Sequence, residues 1–382
     1  MTTNHYTLAP LLAAVQRKGR LALCLALCMF GLGSPANAQK FRIISFDAPN
    51  AGPFGTQATG INSFGAVTGN VTDSNNGTHG FVRSPEGKFT NFDVPGADPV
   101  VGCTCPSAIN DLGVVAGYYI DTNGLGHGFL RSPEGKYTTF DVPGAGGYGT
   151  TPIALNLERA VVGYYTDSNY LFHSFVRHPD GTFSAFLAPG QCETNGSQGC
   201  YGSEISNINF VGLSVGNYMD NNLVQHGLIR RRDGTFATFE APGAGTSEGT
   251  GCPGCFEGLN QWGAIAGIYT DANSVFHGFL RSPDGKFTTF DAPGAGTGGG
   301  QGTGCFSDCP VRLNDWGAIT GIYIDGNYVF HGYLRSPDGK IVTVDPAGST
   351  FTFPDGINDF GSITGYYYDA NGVAHGFLTI PD

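Results

Sequence analysis

The sequence predicts an all-β fold: a seven-bladed β-propeller with four antiparallel strands per blade, the last blade closed by the N-terminal strand. Three observations lead there. First, a unit of 36 residues, clearest at 259–294, is written seven times. Its Asn falls at Asn62, Asn110, Asn156, Asn209, Asn260, Asn314 and Asn358. A His follows 17 residues later in every copy, at His79, His127, His173, His226, His277, His331 and His375, while the spacing between copies wanders from 44 to 54 residues. Every insertion therefore lies outside the unit. Second, apolar residues within a copy alternate with period two, and no helical stripe occurs after residue 38. Four short strands in about 50 residues match the size of a propeller blade. Third, the seventh copy stops after its third strand, whereas 41–49 reads as a fourth strand with nothing before it. The orphan fills the vacancy if the ends meet, which leaves no open sheet edge.

The elements of a copy follow from local chemistry. In the second copy, Asn110-Asp111-Leu112-Gly113 forms a turn in which Gly takes a positive φ without steric cost. A strand over 114–120 leads to a hairpin turn at 121–124, where Asp and Asn side chains bond the turn backbone. A third strand over 127–132, a turn at 133–136 and a fourth strand over 137–142 complete the copy. The repeats accordingly fall near 61–97, 109–145, 155–190, 208–244, 259–295, 313–348 and 357–382 plus 41–49, in a single domain spanning 39–382.

Residues 1–38 read as a signal peptide. Arg17, Lys18 and Arg20 precede an apolar run over 21–33, and Ala36-Asn37-Ala38 is a small-x-small cleavage signal. That run is too short to span a bilayer, and no later stretch approaches about 20 apolar residues, so no membrane span is expected. The expected location is secreted or periplasmic. Removing three basic residues and no acidic ones takes the net charge from −12 to −15, which argues against nucleic acid and anionic membranes as partners. Charged residues are only 13% of the chain, yet the 28 Phe and 17 Tyr recur at fixed places, so this is not a disordered composition. A monomer is expected.

The I-N-x-x-G opening of the unit and the His-Gly-Phe tripeptide at His79, His127, His277 and His375 resemble the HAF-repeat family of extracellular proteins, named for a His-Ala-Phe tripeptide. His-Ser-Phe at His173, His-Gly-Leu at His226 and His-Gly-Tyr at His331 keep the register. The resemblance covers nearly all of the chain after residue 38. It implies export and a repeat fold, and it implies no activity.

Residue types able to carry chemistry are mostly written into the repeat. Each second strand ends at an Asp (Asp73, Asp121, Asp167, Asp220, Asp271, Asp325 or Asp369) and each third strand begins near the His. The pair flanks one hairpin and can bond across it, a structural role, because buried polar groups are paired locally. The repeated Arg83, Arg131 and Arg281 are read the same way. The D-x-N-G of 121–124 and 369–372 looks like the opening of a calcium loop but lacks the later ligands, so a hairpin turn is expected. Eight Cys fall in the connectors between fourth and first strands, as Cys103 with Cys105, Cys192 with Cys200, Cys252 with Cys255 and Cys305 with Cys309. In an oxidising compartment these read as four local disulfides. A zinc site shared by the C-x-C and C-x-x-C pairs would have to reach across three blades. The Gly runs at 243–251 and 294–304 precede no helix and read as connectors rather than phosphate cradles. Neither a metal nor a cofactor is expected.

Chain direction alternates along a blade, so fourth-to-first connectors and second-to-third turns share one face. All the length variation lies there. Candidate ligand-binding residues are the non-repeated ones on those loops: Tyr148, Tyr201, Glu204, Phe256, Glu257, Phe306, Asp308 and Arg312. Copies three and four depart most, with Glu158-Arg159, His178, Leu187 and Arg230-Arg231-Arg232; drift or a local partner contact accounts for them. The expected function is a secreted, non-catalytic binding or scaffold propeller that presents disulfide-stapled loops to an extracellular ligand, a carbohydrate or a protein. The alternative is a glycosidase or polysaccharide lyase using loop carboxylates such as Glu204, Glu257 or Asp308 at the channel mouth. That chemistry needs two facing carboxylates, or a carboxylate with a cationic partner. No residue is assigned as catalytic.

Overall fold

Period-two alternation punctuated by Gly turns folds into seven antiparallel sheets of four strands each, and the sheets stand in a ring. The computed structural model describes residues 41–100, 102–192, 202–251, 258–305 and 309–382, which belong to one compact unit, 39–382. The expected signal peptide lies outside the described residues, among which there is no helix. Blades one to six occupy 56–92, 104–140, 150–186, 203–239, 258–290 and 312–343. Blade seven takes Phe351–Ile357, Ile363–Tyr368 and Ala374–Pro381 from the C-terminal end and Phe41–Phe46 from the N-terminal end. Phe41 pairs with Pro381 and Phe46 with Gly376, so the seam is an ordinary antiparallel ladder.

First strands begin further upstream than the repeat unit. In blade two the strand is Thr104–Ile109, with Thr104 opposite Tyr119 and Cys105 opposite Tyr118. Cys105 therefore lies in a strand rather than in a connector, because the residues before the Ile-Asn pair continue to bond the second strand. Five first strands carry a bulge three residues before the ring Asn, at Thr59, Ser107, Ile153, Ser206 and Asp355. A bulge leaves one residue unpaired and re-aims its side chain.

The hydrophobic core is divided into wedges between neighbouring blades. Phe92 and Val94 of blade one pack with Val115 and Phe129 of blade two, and Leu378 of blade seven packs with Val67 and Phe81 of blade one. Burying each such Phe stabilises by about 1.5–3 kcal/mol, so the blades hold one another. The repeated Arg serves the same interface. Arg83, Arg131, Arg177, Arg230, Arg281 and Arg335 each lie over a Phe of the preceding blade, 4.7–5.5 Å from the ring centroid. The Gly of the tripeptide is a packing requirement: a Cβ at Gly128 would come within 2.4 Å of the Phe140 ring, and one at Gly376 within 2.3 Å of Phe46.

The seven Asn close the ring. Each side-chain amide donates to the backbone carbonyl of the next Asn: Asn62 to Asn110, Asn110 to Asn156, Asn156 to Asn209, Asn209 to Asn260, Asn260 to Asn314, Asn314 to Asn358, and Asn358 back to Asn62, at 3.1–3.5 Å. All seven are buried. Their Oδ1 atoms accept from the turn backbone, as Asn110 does from Leu112 and Val114. One residue thus caps its own turn and ties its blade to the next.

Two outcomes test this account. Asn110→Asp keeps the cap but has no amide to donate and buries a charge. It is expected to cost about 1–3 kcal/mol in urea unfolding, and an unchanged midpoint would show the ring bond to be dispensable. Deleting 41–49 removes the fourth strand of blade seven and is expected to lower the melting temperature sharply and promote aggregation through the exposed edge. Appending the same residues after Asp382 should restore both properties. A deletion variant that melts like the parent as a monomer contradicts closure.

Candidate functional site: the channel and its two ends

The first strands line a central channel, and a cavity of about 400 Å³ lies at the end where they turn into the second strands. The bulges furnish much of its wall. Thr59 and Ser107 turn inward and donate to the carbonyls of Pro106 and Pro152 in the following blades, at 2.9 and 2.8 Å. Arg312 of blade six donates from Nε to the Asp355 carbonyl at 2.9 Å, and its Nη2 lies 3.7 Å from the Asp355 carboxylate. Burial lowers the Arg312 guanidinium below the usual arginine range, with Asp355 opposing the shift. Asn207 is the other long polar side chain at the Arg312 position; the corresponding residues of blades one, two and three are Gly60, Ala108 and Ala154.

The cavity mouth is acidic. In three blades the residue after the ring Asn is an Asp that bonds the neighbouring turn: Asp111 accepts from the Ser63 N–H, Asp315 from the Gln261 N–H and Asp359 from the Asp315 N–H, at 2.8–2.9 Å. Burial pushes the Asp315 carboxyl up. The Gln261 N–H opposes this, and the charges of Asp359 and Asp111 add to the rise.

The opposite end carries the long connectors and the His. Each His Nε2 lies 3.1–3.8 Å from the Asp that ends the second strand. A nearer carboxylate stands on the other side in six blades: Asp93, Asp141, Glu240, Asp291, Asp345 and Asp47 approach Nδ1 at 2.5–2.9 Å. Five of these second partners lie fourteen residues after the His, at the end of the fourth strand, and the hairpin argument does not reach them. Their signal is the acidic residue that ends the fourth strand just ahead of a Pro, as x-Pro-Gly after Asp93, Asp141, Glu240 and Asp291. Blade three has Leu187 there, and among the described residues His173 keeps only Asp167, at 3.1 Å. In blade seven Asp47 meets His375 across the seam. The D-x-N-G oxygens are likewise committed. Asp121 accepts from Leu125 N–H, from the Asn123 side chain and from Asn123 N–H, which together lower its pKa to about 2.

Of the predicted ligand-binding residues, the three that are described, Arg312, Tyr148 and Glu204, do not converge. Arg312 lines the cavity. Tyr148 is exposed on a connector at the far end, edge-on to Tyr170. Glu204 lies on the first strand of blade four, opposite Asn217 and apart from the residues that line the cavity. Tyr201, Phe256, Glu257, Phe306 and Asp308 lie outside the described residues, as do Cys200, Cys252 and Cys255. Cys103 is bonded to Cys105 and Cys305 to Cys309, and Cys192 is in a disulfide as well.

No family model matches the chain, and no curated protein does. Solved structures do. The chain is similar to streptogramin B lyase, with 15% identity and a TM-score of 0.55 over 89% of this chain and 98% of that one. It is similar to puromycin hydrolase, with 12% identity and a TM-score of 0.51 over 86% of this chain and 55% of that one. A lectin from Burkholderia pseudomallei matches with 10% identity and a TM-score of 0.50 over 87% of this chain and 99% of that one. At these identities the likeness is one of fold: the chain is a seven-bladed propeller scaffold.

His79 offers a test of the carboxylate clamps. Burial lowers its pKa, but Asp93 and then Asp73 outweigh burial and leave it raised. A raised folded-state value means stabilisation that is complete below the unfolded value of about 6.5 and fades as pH rises through the folded one. The melting-temperature gap between the parent and His79→Gln is therefore expected to be larger at pH 5.5 than at pH 9. Equal gaps would mean that the imidazolium contributes nothing.

Proposed function

We propose that the protein is an exported, non-catalytic propeller that binds an extracellular ligand at its channel mouth. The observation that carries this reading is the commitment of the reactive side chains. The His are held by carboxylates of their own blades, and the repeated Arg lie on Phe rings. Arg312 is engaged with Asp355. What remains open is a concave mouth. The disulfides support export, since such bonds persist in oxidising compartments. The lectin among the similar folds is in keeping with a carbohydrate ligand.

One observation favours the enzymatic reading. Arg312 and Asp355 place a cation beside a carboxylate inside the channel, which meets the minimum for acid–base cleavage. Two of the similar folds are a lyase and a hydrolase. A glycan array run beside a polysaccharide turnover screen separates the two. Binding without turnover, unaffected by Asp355→Asn, is the expected result. Turnover abolished by Asp355→Asn would replace the binding reading with a catalytic one.

A further inference from the structure

We infer that the channel mouth binds a neutral polysaccharide along an arc of exposed aromatic rings; this rests on the binding reading above and supplies its ligand class. The turn between first and second strands places one side chain, two residues after the ring Asn, at the same point on every blade. In four consecutive blades, five, six, seven and one, that residue is Trp262, Trp316, Phe360 and Phe64, exposed by 71, 74, 75 and 69%. Leu112 extends the arc into blade two, and Glu158 and Val211 interrupt it in blades three and four. A single exposed apolar side chain is ordinary, but large rings repeated in register form a patch that calls for an occupant. The turns beneath are fixed before any ligand arrives. The Oδ1 atoms of Asn260, Asn314, Asn358 and Asn62 accept from the backbone N–H of Trp262, Trp316, Phe360 and Phe64, each at 3.1 Å. Preorganisation of this kind lowers the cost of binding.

The layout selects the ligand. Rings set one per blade around an arc do not converge on a single small cation, as an aromatic cage does. They fit a chain that offers an apolar face at successive units. Inside the arc, Asp111, Asp315 and Asp359 present carboxylates, each with one oxygen engaged by a neighbouring backbone N–H. Acceptors beside aromatic faces suit a pyranose, whose C–H face stacks on a ring while its hydroxyls donate at the edge. The same carboxylates repel an anionic polymer or an anionic membrane, as does the net charge of −12. A protein cover would have to take these charged carboxylates out of water, a cost that a hydrated sugar chain does not impose.

Trp262 and Trp316 are the only two Trp in the chain, so intrinsic fluorescence reads the arc directly. The protein is titrated with soluble β-1,3-glucan, xyloglucan and galactomannan, with alginate and tetramethylammonium as the anionic and small-cation arms. At least one neutral polymer is expected to shift the emission, and the other two probes to leave it unchanged. Trp316→Ala is expected to weaken that binding about tenfold. The quadruple variant Phe64→Ala/Trp262→Ala/Trp316→Ala/Phe360→Ala is expected to lose polymer retardation in affinity gels while keeping the parent melting temperature. Retardation that survives in the quadruple variant overturns the arc and leaves the binding function standing. Silence toward all three neutral polymers overturns the inference, as does a response to tetramethylammonium. So does a dimer in sedimentation that the quadruple variant dissolves. Turnover lost in Asp355→Asn with retardation intact overturns the non-catalytic reading alone.

Discussion

The ring of Asn side chains is the constraint on which the rest of the molecule depends. A propeller has no single core, because each blade buries its faces only against its two neighbours. The wedges of Phe and Val supply most of the attraction but are indifferent to angle, since apolar contact is non-directional. The Asn bond is directional. Each Asn amide reaches the backbone of the next blade while its oxygen caps its own turn, so blade spacing and turn geometry are set by one side chain. Repeated seven times, the bond returns from Asn358 to Asn62 and closes the circle.

Further interactions act outward from that ring. The Arg–Phe contacts bind neighbouring blades at mid-radius, and the His with their flanking carboxylates brace each blade near its outer strands. The carboxylate clamp also crosses the seam, where Asp47 holds His375, and Arg83 lies over Phe46 of the strand that closes it. The two termini are therefore joined by the same chemistry that joins any two blades. Blade seven lacks the Arg, with Thr379 in its place, and Thr379 instead accepts from the Ile363 N–H.

With the repeated polar residues bound up in structure, the chain's individuality is confined to its two ends. At one end the connectors vary in length and carry disulfides. At the other, Arg312, Asp355 and Asn207 stand where their counterparts in blades one to three are mostly small or uncharged. The turn residues after the ring Asn make an acidic inner circle and an aromatic outer one. A rigid frame with variation confined to its mouths is the arrangement by which propellers present binding surfaces.

Much of this architecture was legible in the residues. A 17-residue separation kept through seven copies fixes the blade count, and the strand at 41–49 announces the closure. Period-two alternation and Gly turns settle the strands, because those signals arise within a few residues of chain. The site was less legible. Attention to loop variability favoured one face, while the aromatic arc was hidden in the most regular turn: Trp262, Trp316, Phe360 and Phe64 sit in a motif that reads as mere punctuation. The second carboxylate beside six of the His was equally obscure, because fourteen residues of chain, or in blade seven the whole ring, separate partners that only the sheet brings together. By itself the sequence determined repeat, strand and seam, all encoded by local pattern. Only the tertiary structure decided which side chains converge on the channel and which donors find which acceptors, because that depends on the radius at which seven blades close.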